Sequence, residues 1–597
     1  METVMGTHHV RFAIVLFGLV LFAAAAGSAQ NTDKLRVRGA RLDGDRATAH
    51  TISVIVGTKD ADKNWNSRIL MDVRKVGEKE WQPRHELFRH RNGMPKLCQP
   101  FAGIAWDLEP DTEYEIRLTA KDPDGVEGEA EQIIKGRTRK LPAVIKAAAH
   151  NTVTVSSRGE LKKAVAEAKP GQVVLLKKGT YKGGIKLSGV KGAEDNPIVV
   201  RGEDRLETIV NGRLTLANCR NLHVENITFQ KGGTGISLPK RCRAVTIRGC
   251  IILNVNNGIH AKQGHSHLYI CNNALIGNAP FGEMYPKHGN DEGIVITGPG
   301  HEICNNTIGG FGDSMGFSHR TGGMATIGVD IHHNMVLWGA DDAVEMDYTF
   351  RSCIVHNNLF ANQLMGLSFQ QTYHGPAYGF RNVIYNVAGS PYKIKPCDSA
   401  NDGVFVYNNT SVKRGIAYRN WSVQVDGGAM KNNLFIGTKS KNACMTGGHG
   451  KPPGFVRFSF GNNAWSYDGA FSMKRARAGN FKQWKTKKRG KTDVLLAGEK
   501  IFQNLEPDFN KKNFHYLRDV RELDFTLHEK SSAVDAGAVI PGVTNDVTGK
   551  APDIGAWERG SKPVKYGVDF EFTIPAKHNF KEGTMGKDYA RKKKKKK

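Results

Sequence analysis

The residues with most capacity for chemistry lie between positions 258 and 419. Short segments recur there in which apolar and polar residues alternate: GIHAK, GIVIT, GFSHR, AVEMD, GLSFQ, PYKIK and GIAYR. If the second residue of each points into a core, alternation turns the third and fifth outward. The outward pairs are then His260/Lys262, Val295/Thr297, Ser318/Arg320, Glu345/Asp347, Ser368/Gln370, Lys393/Lys395 and Ala417/Arg419. Two acids stand between an arginine and two lysines, and Asp341-Asp342 precedes them in the turn. A solvated sheet face is polar as well, but it has no reason to cluster its charges by sign.

Two chemistries suit such a column. In one, Lys393 or Lys395 removes a carbon-bound proton beside a carboxylate group. Arg320, or a calcium ion held by Glu345, Asp347 and Asp341, neutralises that carboxylate. In the other, the acids work as a pair. Glu345 and Asp347 would stand about 6.8 Å apart along a strand, within the ~6.5–9.5 Å of inverting glycosidic cleavage. Asp341 and Asp342 are further candidates for the same work. Loops add side chains over the column: EMYPKHGNDEG brings Tyr285, Lys287, His288, Asp291 and Glu292, and QQTYHGPAY brings Tyr373 and His374. Gln370, His288, Tyr373, His374 and Lys262 are the expected substrate contacts. Neighbouring strands lie about 4.8 Å apart, so the span from Arg320 to Lys393 is roughly 14 Å, enough for a few sugar units.

Only a regular stack of strands can bring such distant residues into one column, and the sequence repeats accordingly. An alternating strand, an Asn-Asn or near variant, and a second apolar strand recur with marks at Asn226, Asn273, Asn306, Asn334, Asn358, Asn382, Asn409, Asn433 and Asn463. Asn334, Asn358 and Asn382 follow one another at intervals of 24, as do Asn409 and Asn433. Longer intervals mark loop insertions. A fixed period with one recurring polar residue predicts a solenoid. Asparagine suits it because it tolerates the left-handed turn conformation and can ladder amides between coils. The predicted fold is all-β: a right-handed parallel β-helix preceded by a small β-sandwich.

Both ends of the array carry resemblances. In SSRGELKKAVAEAKPGQVVLLKKGTY, Leu161, Ala164, Val165 and Ala168 have helical spacing and Pro170-Gly171 stops the helix. This helix, the apolar Val173–Leu176 strand and the Gly179-Thr180-Tyr181 turn resemble the N-terminal cap of pectate-lyase-like β-helices. The segment SSAVDAGAVIPGVTNDVTGKAPDIGAWERG resembles their terminal stretch. The resemblance implies the pectate-lyase-like superfamily, whose members include polysaccharide lyases, glycoside hydrolases such as polygalacturonases, and epimerases. Asp341-Asp342 resembles the paired aspartates of polygalacturonases, although the Asn-Thr-Asp, Gly-His-Gly and Arg-Ile-Lys stretches are absent. Upstream, Leu108, Pro110, Thr112 and Tyr114 lead into an alternating strand and resemble the tyrosine corner of fibronectin type III sandwiches. The expected organisation is a signal peptide over 1–29, a fibronectin type III-like sandwich over 35–140, the β-helix with its capping helix over 152–560, and a basic tail over 561–597.

Composition sets the partner. Of the net charge of +27, the Arg591–Lys597 run contributes seven, leaving +20 spread over the chain. An acidic partner follows. Arg11 ahead of the apolar run FAIVLFGLVLFAAAA, then Gly27-Ser28-Ala29, reads as a secretory signal, so the protein is expected to be secreted or periplasmic. In that setting the partner is acidic polysaccharide rather than nucleic acid, with no membrane span and a monomeric chain. The nine cysteines show neither CxxC pairs nor zinc-type Cys/His spacing, and read as small buried residues stacked coil on coil, with a disulfide or two left open. The leading reading is a lyase of a uronate-containing polysaccharide. The alternatives are an inverting glycoside hydrolase and a non-catalytic polysaccharide-binding surface protein.

Overall fold

The computed structural model describes residues 33–578 except 60–61, 91–99, 319–324, 397–400, 421–422, 439, 448–453, 474–475, 507–519 and 521. The signal-like stretch and the end of the basic tail lie outside the described residues.

From residue 152 the chain winds as a right-handed parallel β-helix, as the repeat predicts. Successive coils build three parallel sheets. The first runs from Thr152–Val155 to Gly454–Gly461 and the second from Gly179–Lys182 to Val494–Leu495, with 13 strands each. The third runs over nine strands from Ile185–Ser188 to Ser390–Ile394. Inward-facing Ile, Val, Leu and Phe of all three fill one continuous core.

The asparagines divide two tasks between them. The residue that follows a first-sheet strand takes a left-handed conformation, as at Asn272 (φ 57°), Asn305 (φ 53°), Asn357 (φ 50°) and Asn408 (φ 44°). The residue after it turns inward, fully buried. Asn273 Nδ2 donates to Asn306 Oδ1 at 2.9 Å, Asn306 to Asn334 at 2.9 Å, Asn334 to Asn358 at 3.0 Å and Asn358 to Asn382 at 2.9 Å. The ladder continues through Asn409, Asn433 and Asn463. Asn226 (φ 54°) belongs to the turn position and not to the ladder.

Both ends of the solenoid are capped. The helix Arg158–Glu167 is closed by Ser157, whose Oγ accepts from Glu160 N, while Glu160 Oε2 accepts from Ser156 N. Leu161 and Val165 plug the first coil. At the far end Trp484, from the short helix Phe481–Lys485, stacks on Phe471 at 4.6 Å. The coils stop at Val494–Leu495, short of the predicted 560. Residues beyond run back along the second sheet, where Phe502, Phe525, Ile554 and Ala556 pack on Leu359, Val383, Val412 and Leu434. Among the described residues no helix is long and apolar enough to cross a membrane.

The N-terminal unit is an eight-stranded sheet that bends around Gln82–Arg89, a strand paired with both halves. It packs directly on the solenoid. Phe88, Ile104 and Trp106 pack against Tyr378, Phe380, Phe405 and Tyr407 on the outer face of the first sheet. Arg351 grips Asp43 through two hydrogen bonds of 2.6 and 2.7 Å. The returning C-terminal segment closes the joint, with Trp106 Nε1 donating to Gly542 O at 2.7 Å.

Candidate active site

Among the described residues the N-terminal unit packs on the first sheet, and strand register decides what stands on the outer face of the third. One file of outward residues runs Thr215, Ser237, His260, Val295, Gly316, Glu345, Ser368 and Lys393. The expected column therefore holds for Glu345, Ser368 and Lys393 but slips by two residues in GFSHR. Gly316, not Ser318, sits beside Glu345, and Ser318 follows Phe317, the partner of Ile296. Arg320 lies outside the described residues. Gly316 leaves a notch: a Cβ there would stand 3.1 Å from Glu345 Cβ.

Five carboxylates and one ammonium gather next to the notch. Asp342 is fully buried and forms an ion pair with Lys393, whose side chain reaches across two coils. Asp342 N donates to Asp313 Oδ1 at 3.1 Å. Asp347, also buried, accepts from Ser368 Oγ and from Gln370 N, both at 2.7 Å. Oxygens of Asp313, Asp342 and Glu345 lie within 4.8 Å of one another. Asp313 was not legible in the sequence, since it stands 29 residues from its partner and opens a strand instead of occupying an alternation site.

So many carboxylates cannot all be ionised together. Burial raises Glu345 to about 11, helped by Asp313 and Asp347. Burial with Asp342 raises Asp341 to about 7, against the pull of Lys393. Burial raises Asp347 to about 6, opposed by Lys393. Asp313 is pushed well above the usual carboxylate range by burial and by Asp342. For Lys393 burial opposes the charge, but Asp342, Asp347 and Asp341 outweigh it and lift its pKa further. Lys393 therefore holds its proton firmly, the reverse of what a general base needs.

This donor set fits a hard divalent cation. Calcium takes oxygen ligands at about 2.3–2.6 Å, so ligands across the ion stand up to ~5 Å apart. Asp342 Oδ1 is buried with no hydrogen-bond partner, an orphan acceptor aimed into the cluster. Asp313, Asp342 and Glu345 would hold the ion. Asp347, expected as a ligand, instead braces the strand end through Ser368 and Gln370.

The remaining expected residues are dispersed. Lys395 is exposed at the end of the Lys393 strand, on the side of Asp341, whose pKa it lowers. Tyr373 stacks on Tyr348 with centroids 6.3 Å apart, next to Asp347 in sequence. His374 lies against Phe350 (4.3 Å) and His90 of the N-terminal unit (5.7 Å), turned away from the column. Lys262 is bound to Glu292 at 2.7 Å. His288 pairs with Asp291 at 2.8 Å and Glu283 at 3.3 Å, in a loop that meets the Asp313 coil where Gly312 N donates to Asp291 O.

Comparison with known proteins places residues 155–241 in a match to the chondroitinase B family model, which ends before the coil of His260. No curated protein matches the chain. Among solved structures, the chain is similar to a PL6 family alginate lyase, AlyGC, at 15% identity over 52% of this chain and 51% of that one, with a TM-score of 0.35. It thus spans about half the length of AlyGC. A family 28 exopolygalacturonase from Yersinia enterocolitica aligns at 12% identity over 73% and 99%, TM-score 0.34. An alginate lyase from Paenibacillus sp. str. FPU-7 aligns at 18% over 47% and 100%, TM-score 0.32.

Proposed function

We propose that this chain is a polysaccharide lyase that cleaves a uronate-containing polymer by β-elimination on the outer face of the third sheet. The observation that carries the reading is the carboxylate cluster at the Gly316 notch, which leaves an orphan acceptor for a cation beside two lysines. Elimination needs the substrate carboxylate neutralised so that the proton beside it can leave. Calcium, when bound by Asp313, Asp342 and Glu345, would supply that neutralisation as a Lewis acid.

The chain's own groups divide the rest. Lys395, exposed beside the cluster, is the candidate base for the ring proton. The electrons of that C–H bond form the new double bond as the glycosidic C–O bond breaks. Asp341, kept protonated near neutrality by burial, is placed to return a proton to the departing oxygen. Lys393 keeps its proton and positions Asp342. The match of residues 155–241 to the chondroitinase B model and the net charge of +27 support an acidic polysaccharide as substrate.

Two accompanying readings complete the proposal. The N-terminal unit is a fibronectin type III-like sandwich, supported by Tyr114, whose hydroxyl accepts from Glu109 N at 2.8 Å as a tyrosine corner requires. The signal-like N-terminus supports export of the chain. One observation favours inverting hydrolysis as the second reading: Asp341 at about 7 and Asp347 at about 6 sit in the range of a general acid.

One assay separates them. Full-length protein is incubated with alginate, chondroitin sulfate and polygalacturonate, with calcium or with chelator. Ultraviolet absorbance and reducing ends are followed together. Absorbance that grows with calcium identifies the lyase and its substrate. Reducing ends without absorbance assign hydrolysis, and silence in both on all three polymers overturns the enzymatic reading.

A further inference from the structure

A second cluster lies on the opposite side of the solenoid, under the N-terminal unit. Cys271, Cys304, His332 and His356 occupy one outward file of the first sheet, and Tyr269, Glu302 and Asp330 the neighbouring file. Ligand atoms of Glu302, Cys304 and His332 lie within 4.8 Å of one another, and all three residues are buried. Glu302 Oε1 and His332 Nε2 are buried without a hydrogen bond of good geometry, and they face each other at ion-pair distance, 3.5 Å. Residues only 3% and 8% exposed do not ordinarily leave such atoms unsatisfied.

The surroundings are arranged as the outer shell of a metal site. The other Glu302 oxygen accepts from Ala49 N at 3.0 Å. The other His332 nitrogen is engaged by His333 Nδ1 at 2.8 Å. His50 of the N-terminal unit has its Nδ1 on Leu108 O at 3.0 Å, leaving Nε2 directed to Glu302 Oε1 at 3.9 Å. Its ring stands 5.8 Å from that of His332. Fixing one ring nitrogen on a backbone carbonyl while the other is left to a ligand is how metal-bound histidines are oriented. A cleft of about 110 Å³ between the two units, lined by Ala49, His267, Tyr269 and Glu302, reaches the Glu302 side of the cluster.

We propose that Glu302, Cys304 and His332 bind a zinc-class divalent ion, with His50 closing a four-ligand site that pins the N-terminal unit to the solenoid. Tetrahedral zinc with nitrogen, oxygen and sulfur donors at about 2.0–2.3 Å places its ligands ~3.3–3.8 Å apart, a small contraction of the observed spacing. A thiolate and imidazoles select zinc or cobalt over calcium, so this site and the oxygen-only cluster take different ions. Ion binding releases the Cys304 thiol proton, and any proton on His332 Nε2, to solvent as the sulfur and nitrogen bonds form. The sequence gives no sign of the site, because its ligands come from residues 50, 302, 304 and 332, far outside zinc-finger spacing.

Cobalt(II) titration of reduced, metal-free full-length protein tests this. A thiolate-to-cobalt charge-transfer band saturating at one equivalent is expected. Cys304→Ser abolishes the band, and His332→Gln or Glu302→Gln weakens cobalt binding at least tenfold. Cys353→Ser, a buried cysteine elsewhere, and Asp342→Asn in the carboxylate cluster leave it intact. In the unsubstituted protein, native mass spectrometry also shows one zinc retained per chain, so the test does not depend on any variant folding. Absence of the band, its survival in Cys304→Ser, or no retained zinc overturns the proposal.

Discussion

Replacing Glu345 by glutamine should stabilise the protein at neutral pH while removing its response to calcium. Glutamine has the shape and hydrogen-bonding of a protonated carboxyl. The Glu345 carboxyl rises from its ordinary 4.5 to about 11 in the fold, so the native state binds its proton more tightly than the unfolded chain. Stability from this group is fully present below pH 4.5 and declines as pH rises toward 11. At pH 7 the loss is about 1.4 kcal/mol for each of the 2.5 units above 4.5, or about 3 kcal/mol. That figure requires only that the native value lie above 7. At pH 5 the loss falls below about 1 kcal/mol. Unfolding entropy of about 2.1 cal/mol/K per residue over roughly 400 solenoid residues converts 3 kcal/mol into about 3–4 °C. Differential scanning fluorimetry in chelator should therefore show Glu345→Gln melting above the unsubstituted protein by that amount at pH 7 and by about 1 °C at pH 5. Calcium should raise the melting point of the unsubstituted protein and leave Glu345→Gln unmoved. A variant that melts at or below the parent at pH 7 in chelator, or a gap that does not close at pH 5, would refute the electrostatic account of the cluster.

Three other outcomes follow from the same contacts. Lys393→Met strips the buried carboxylates of the ammonium paired with Asp342 and should cost about 3–5 kcal/mol in chelator, with calcium restoring part of it; equal melting points with and without the lysine would contradict this. Asn358→Leu leaves the buried Asn334 backbone N–H without its acceptor and takes a donor from the Ile331 carbonyl, an expected loss of about 3–6 kcal/mol in urea titration. Asn357→Gly, at the adjacent left-handed position, should shift stability by less than about 0.5 kcal/mol; comparable losses at both sites would argue against the division of tasks. Trp106→Ala should cost about 3–5 kcal/mol and expose residues 141–151 to protease ahead of the coils, and an unchanged digestion pattern would show that the joint does not depend on this ring.

The solenoid was legible because stacking turns three-dimensional repetition into linear repetition: one residue type in one turn recurs at the coil length. The slip in GFSHR has a specific origin. Moving a strand by one residue exchanges its faces, but moving it by two does not, so Met315 and Phe317 serve equally well as the first core residue and only the pairing partners decide. The carboxylates on alternation sites, Glu345 and Asp347, were visible. Asp313 was not, because strand-opening turns obey no period. Docking of the N-terminal unit left a trace that alternation alone does not interpret. First-sheet segments such as VFVY are apolar on both faces, as strands covered on both sides are, with Phe405 and Tyr407 facing Trp106 and its neighbours.

The asparagine ladder also has a direction. Every side-chain amide of the ladder from Asn273 to Asn433 donates to the asparagine of the next coil, so the dipoles add head to tail. The ladder stops on Asp493, whose Oδ1 accepts from Asn463 N at 3.0 Å while Oδ2 accepts from the indoles of Trp465 and Trp484, both at 2.9 Å. A carboxylate is a pure acceptor, and it serves here as a terminator. At the other end the first amide needs none, since Cys250 N simply donates into Asn273 Oδ1 at 3.0 Å. Length is therefore open while the stop is fixed: whole coils can be gained or lost between these two points without either end having to be rebuilt.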